Sequence, residues 1–122
     1  MSAFTGWQYI VLYLMNAPIN EHNAKFLDAW HRAESGKARF NPLNTTQSWP
    51  GATNYNTAGV KGYKMRRHGI DATVKTLKNG RYNKILKLLR EGDADFGDLA
   101  DAVDASPWGT DGSVIMSVLG VK

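Results

Sequence analysis

Apolar residues recur at helical spacing in five stretches of the chain, and the period is lost between the second and the third. Trp7, Ile10, Val11, Leu14 and Met15 make the first stripe. Asn16-Ala-Pro-Ile breaks it. Asn20 is placed to cap a second helix, with Glu21 in its first turn. Phe26, Leu27, Trp30 and Ala33 form that helix's buried face, and Gly36 is its expected stop. Residues 37–64 are rich in Asn, Thr, Gly and Pro and read as loops with a short hairpin. Helical spacing returns at Ile70, Val74 and Leu77 and ends at Asn79-Gly80. Tyr82, Ile85, Leu86 and Leu89 give a fourth helix, closed by Gly92. Phe96, Leu99, Ala100 and Val103 give a fifth, with Asp95, Asp98, Asp101 and Asp104 along its solvent side. Ser106-Pro107-Trp108-Gly109 ends the helical part. The segment Ser113 to Val121 is apolar and β-branched and reads as a strand or an extended arm. The pattern therefore predicts an α+β chain, mainly α, with one domain over 1–112 and a tail over 113–122.

Composition agrees with a folded domain. The chain has 122 residues, 43% hydrophobic and 21% charged, enough to bury a core without staples. Without cysteine there is no disulfide framework, no thiolate metal site and no cysteine nucleophile. The longest apolar run, Tyr9 to Met15, is too short to span a bilayer. The N-terminus lacks the basic start and small-residue cleavage site of a secretory signal, so any work outside the producing cell needs another route of delivery.

Charge changes the picture more than composition does. The net charge is +4, but residues 37–90 carry twelve basic side chains against one acid, Asp71. Residues 91–122 carry seven acids against Lys122. Such a basic block suits an anionic partner, unless the acidic end folds back to neutralise it. A nucleic-acid partner is the least favoured, because the aromatics of the block do not interleave with its basic residues as a stacking platform requires.

Familiar catalytic and cofactor motifs are absent: no HExxH, P-loop, dinucleotide fingerprint or nucleophile elbow occurs. His22, His31 and His68 have no ligand spacing, so neither a metal nor another cofactor is expected. Glu34 stands out, four residues after Trp30 on the apolar face and at the end of its helix. Burial and the negative end of the helix dipole both favour a neutral acid there, which is what a glycosidic oxygen needs as a proton donor. The alternative is a surface glutamate paired with Lys37 or Arg39. The polar insertion that follows holds Asn41, Asn44, Thr45, Thr46, Gln47, Trp49, Asn54, Tyr55 and Asn56. These types line sugar-binding grooves and also furnish ordinary surface loops.

The run WHRAESGKARFNPLNTTQSWPGATNYNTAGVKGY resembles a lysozyme-like domain common in bacteriophages of actinobacteria. In that family a helix ends in Ala-Glu-Gly or a close variant, followed by an NPLNTT-type loop and a G-x-T-x-YN…GV segment. GIDATVKTLKNGRYNKILKLL and SPWGT resemble it too, so the similarity covers about residues 7–110. It implies a lysozyme-like fold, with the polar loop and hairpin inserted between helices, that cleaves peptidoglycan glycan strands. It also implies Glu34 as the catalytic acid, with Asn41, Asn44, Thr45, Thr46 and Tyr55 lining the groove. The protein would then act from a phage virion, or from host cytoplasm with delivery to the cell wall. No acid lies between Glu34 and Asp71, which favours a single-acid scheme and leaves hydrolase and lytic transglycosylase both open. Tyr63-Lys-Met-Arg-Arg-His68 is more basic than the family pattern, and the chain is small for a lysozyme. Both features keep a second expectation alive, a non-catalytic capsid or tail component that contacts other virion proteins.

Overall fold

In the computed structural model, which describes residues 6–120, the stripes become α1 (Trp7–Leu14), α2 (Glu21–Glu34), α3 (Arg66–Leu77), α4 (Asn83–Glu91), α5 (Phe96–Asp104) and α6 (Gly112–Leu119). The polar insertion contains β1 (Thr53–Asn54) and β2 (Lys61–Gly62), antiparallel with Thr53 opposite Gly62. The chain is thus mainly helical with one small two-stranded sheet. α2 packs between α1 and α6, α5 packs on both α4 and α6, and α3 packs on α1. Leu12, Phe26, Trp30, Leu43, Leu77, Leu89, Leu99 and Ile115 are fully buried in the shared core. Among the described residues, no helix is long and apolar enough to cross a membrane.

The start of α2 follows from two asparagines. Asn20 Oδ1 accepts from Asn23 N at 2.8 Å, capping the helix as its position predicts. Asn20 Nδ2 then donates to Gly92 O at 2.9 Å, and Asn23 Nδ2 donates to Leu89 O at 2.8 Å. The cap therefore also ties α2 to the end of α4. The other end differs from expectation. Ser35, with φ 52°, makes the left-handed turn that was expected of Gly36. Gly36 serves a different need: a Cβ there would lie 3.0 Å from Pro42 O, so the absent side chain lets the loop return against the helix end.

The expected strand or arm over Ser113 to Val121 is corrected. Its described part is α6, seated on α2 and α5 with Ile115 fully buried. Gly112, Ile115, Met116 and Leu119 fall at helical spacing, and burying that face outweighs the β-branched propensity. Two acids prepare its start. Asp111 Oδ1 accepts from Ser113 N at 2.9 Å, and Asp104 Oδ2 accepts from Gly112 N at 2.8 Å. The bonds from Ser113 lower the pKa of Asp111. Residues 1–5, Val121 and Lys122 lie outside the described residues.

The loop after α2 is locked onto α3 at one position. Phe40 has a positive φ of 54°, and a Cβ on Gly69 would lie 1.6 Å from Phe40 O. Only glycine admits that carbonyl. Gly69→Ala should therefore cost about 3 kcal/mol or more, the upper end of what overpacking does. Urea denaturation checks this, and an unchanged midpoint would show that the loop is not locked there.

Candidate active site around Glu34

Side-chain amides do the work of secondary structure in the polar loop. Asn41 is 2% exposed; its Nδ2 donates to Thr45 O at 2.8 Å and Lys61 O at 2.7 Å, while its Oδ1 accepts from Thr45 N at 2.9 Å. Tyr63 N donates to Arg39 O at 2.9 Å, and the Tyr63 hydroxyl donates to Gln47 O at 2.6 Å. Thr45 and Thr76 share a hydroxyl hydrogen bond of 2.7 Å, which fastens the loop to α3. Satisfied in this way, the backbone can leave its regular period and still stay ordered.

Three segments meet at Glu34, the last residue of α2. Asn44, at φ 60°, donates through Nδ2 both to Glu34 Oε1 at 3.1 Å and to Glu34 O at 3.0 Å. The Thr110 hydroxyl donates to Glu34 Oε2 and accepts from Trp30 Nε1 at 2.9 Å. Trp108 Nε1 donates to Leu43 O at 2.8 Å, and its ring stands edge-on to Trp30 and Tyr82 at 5.2 and 5.4 Å. Glu34 is half-buried, and each carboxyl oxygen faces a polar donor. The apolar burial expected for it is replaced by a polar clamp. Pairing with Lys37 or Arg39 is not what holds it.

Beside the clamp lies a pocket of about 150 Å³ lined by Asn44, Thr45, Thr46, Thr76, Tyr82, Pro107 and Trp108. Hydroxyls, one amide and two aromatic rings suit a sugar. Of the residues expected in a groove, Asn44, Thr45 and Thr46 are there, and Asn44 touches Glu34. Asn41 lines a different, larger cavity instead, and its amide is used inside the loop. Tyr55 follows β1, where its N–H donates to Val60 O at 2.7 Å, and its half-exposed ring does not line the pocket. Thr76, Tyr82, Trp108 and Thr110 were not singled out. Trp108 and Thr110 sit in the SPWGT motif, and Thr76 is a hydroxyl beside the buried Leu77, so signals existed for all but Tyr82, which read as core.

A larger cavity of about 390 Å³, lined by Trp7, His31, Phe40, Arg66 and Ile70 among others, has no acid among its described lining residues. Asp71 is engaged with Arg67 Nε at 2.8 Å on α3. His22 donates to Ala94 O at 2.6 Å and stacks on Phe96, while His31 donates to Pro42 O at 2.6 Å. Among the described residues, no group of three His, Cys, Asp or Glu could hold a metal. No family model, curated protein or solved structure matches the chain.

Two predictions follow from the clamp and the loop. Thr110→Val keeps the shape but leaves the Trp30 indole and one Glu34 oxygen without that partner. It should cost about 1–3 kcal/mol, as unsatisfied buried groups do, and Thr110→Ser should restore most of it. Equal stability of the two variants, read by chemical unfolding, would count against the clamp. Burial pushes the Tyr63 hydroxyl from 10.0 up to about 12. The folded state keeps a proton that the unfolded state releases. Stability from this residue is thus intact below pH 10 and is lost as pH rises from 10.0 towards about 12. Tyr63→Phe should flatten that alkaline loss, and an unchanged slope of stability against pH would contradict it.

Proposed function

We propose that the chain is a lysozyme-like domain that cleaves peptidoglycan glycan strands, with Glu34 as the general acid. The observation that carries this reading is the placement of Glu34. It ends a helix, and two side chains from distant segments orient its carboxyl group. One of them, Asn44, also forms the wall of a hydroxyl- and tryptophan-lined pocket. The glycan class rests on that lining, and the peptidoglycan on the resemblance of the NPLNTT and SPWGT segments. Asn44 and Thr110 hold the carboxyl group in one orientation, and one of the two bonds opens for that oxygen to carry a proton to the substrate. Glu34 donates its proton to the glycosidic oxygen as the bond breaks. Asp71 is held by Arg67, so no carboxylate is assigned to the opposite face. The reaction then closes through water or through a hydroxyl of the sugar itself, giving a hydrolase or a lytic transglycosylase.

One observation favours a second reading. Both Glu34 oxygens already accept hydrogen bonds from the protein, so Glu34 also serves as a staple. In a non-catalytic virion component the clamp would do only that. Muropeptide release from purified peptidoglycan separates the two. Glu34→Gln should lower the rate about a hundred- to ten-thousand-fold, the usual worth of general acid catalysis, while thermal melting shows the fold retained. No release by the wild-type chain on several wall chemistries would defeat the enzyme and leave the staple.

A further inference from the structure

Two residues that line the pocket beside the Glu34 clamp, Tyr82 and Pro107, also line a neighbouring concavity. This second concavity, of about 190 Å³, is lined as well by Arg81, Lys84, Ile85, Asp101, Ala105 and Ser106. Taken as one groove, the two have walls that change character along the length. Near Asn44 they are neutral hydroxyls and an amide. Past Tyr82 they carry two cations on the α4 side and one carboxylate, Asp101, on the α5 side.

We infer that Arg81 and Lys84 form an anion-selecting subsite of this groove, taking a carboxylate carried on a glycan whose adjoining sugar lies against Tyr82 and Trp108. This rests on the proposed glycan reading and adds to it the charge of the substrate and the residues that read it. Position separates these two from several others of the basic block. Arg67 is paired with Asp71, Lys78 reaches Leu14 O at 3.5 Å, Arg90 donates to Met15 O at 3.1 Å, and Arg66 lines the other cavity. Arg81 and Lys84 line a concavity that shares Tyr82 and Pro107 with the pocket beside the Glu34 clamp. The turn that presents Arg81 is ordered: Gly80 has φ 95°, and Arg81 N donates to Asn79 Oδ1 at 2.9 Å. A guanidinium can hold both oxygens of a carboxylate, and a lysine beside it adds a point charge. Asp101 repels the same anion, so it confines the carboxylate to the α4 side and lowers the affinity it permits.

The test compares two soluble oligosaccharides of alternating N-acetylglucosamine and N-acetylmuramic acid, one with free carboxyl groups and one with the same groups converted to methylamides. Binding to the wild-type chain is followed by tryptophan fluorescence, in the cold and over times short against turnover. Two exposed charge contacts should make the acid form bind about three- to tenfold tighter at low salt. The preference should shrink at high ionic strength. Arg81→Gln combined with Lys84→Gln should abolish it, with binding of the amide form unchanged, and Asp101→Asn should enlarge it. All three side chains are exposed, so the variants should fold, and circular dichroism confirms that. Equal binding of both forms by wild type would overturn the subsite and leave the glycan groove. A preference that survives the double substitution would also overturn it, by placing the anion elsewhere on the basic block. Failure to bind either form would overturn the groove reading and the subsite together.

Discussion

The end of α2 is the point on which the rest of the site depends. A helix leaves its last carbonyls without partners, and here Asn44 takes the carbonyl of Glu34 with the same amide group that holds the Glu34 side chain. The Thr110 hydroxyl takes the other carboxyl oxygen while it satisfies the Trp30 indole in the core. A chain of hydrogen bonds thus runs from a buried tryptophan through a hydroxyl and a carboxyl group to a loop amide. It joins the helix end, the polar loop and the segment after α5. Remove any member and at least one half-buried polar group loses a partner, which costs more than the bond itself contributes.

This constraint explains how a long stretch without helical period can be ordered. Fixing backbone costs about 1–2 kcal/mol per residue, and residues 37–64 recover little of that from β1 and β2. They are held instead at a few anchor points: Asn41 inside the loop, Leu43 in the core, and Thr45 against Thr76. The left-handed Phe40 and Asn44 are the local cost of turning the chain so sharply. Gly69 is where the loop backbone comes too close for any side chain, and Gly36 is a second tight approach.

Much of the fold was legible because period 3.6 dominates the helices. The stripes through Trp7, Phe26, Ile70, Ile85 and Leu99 all became helices in the expected order, and Asn20, Gly92 and the Asn79-Gly80 turn mark boundaries as their chemistry predicts. α6 was misread because valine and isoleucine favour strands in isolation, whereas Ile115 and its helical neighbours had a face of α2 and α5 to cover. In the candidate site, Glu34 stands out by its place at the end of a helix, and Asn44, Thr45 and Thr46 by the resemblance of the NPLNTT run. Thr110 lies in the SPWGT motif, but its role was not legible: it bonds to Glu34 across 76 residues of sequence, and no local pattern carries such a distance. Asn41 and Tyr55 show the converse, since a polar or aromatic residue in a loop looks the same whether it faces a groove, the loop's own backbone or open water.

Charge segregation along the chain follows a similar logic. A basic middle followed by an acidic end could mean that the two neutralise each other. Yet the ion pairs Arg32–Asp28 and Arg67–Asp71 each span one helical turn, and neither joins the two blocks. α4 and α5 meet through apolar faces, Ile85 and Leu89 on one and Leu99 and Val103 on the other. Their charged faces are thereby turned outward on either side of a shared concavity, Arg81 and Lys84 against Asp101. The asymmetry of the sequence thus becomes an asymmetry across one concavity, with unlike charges among its lining residues. Three acids of the C-terminal block serve backbone: Asp95 caps α5, while Asp104 and Asp111 cap α6. What sets Asp101 apart is its place in the wall of the concavity opposite Arg81 and Lys84.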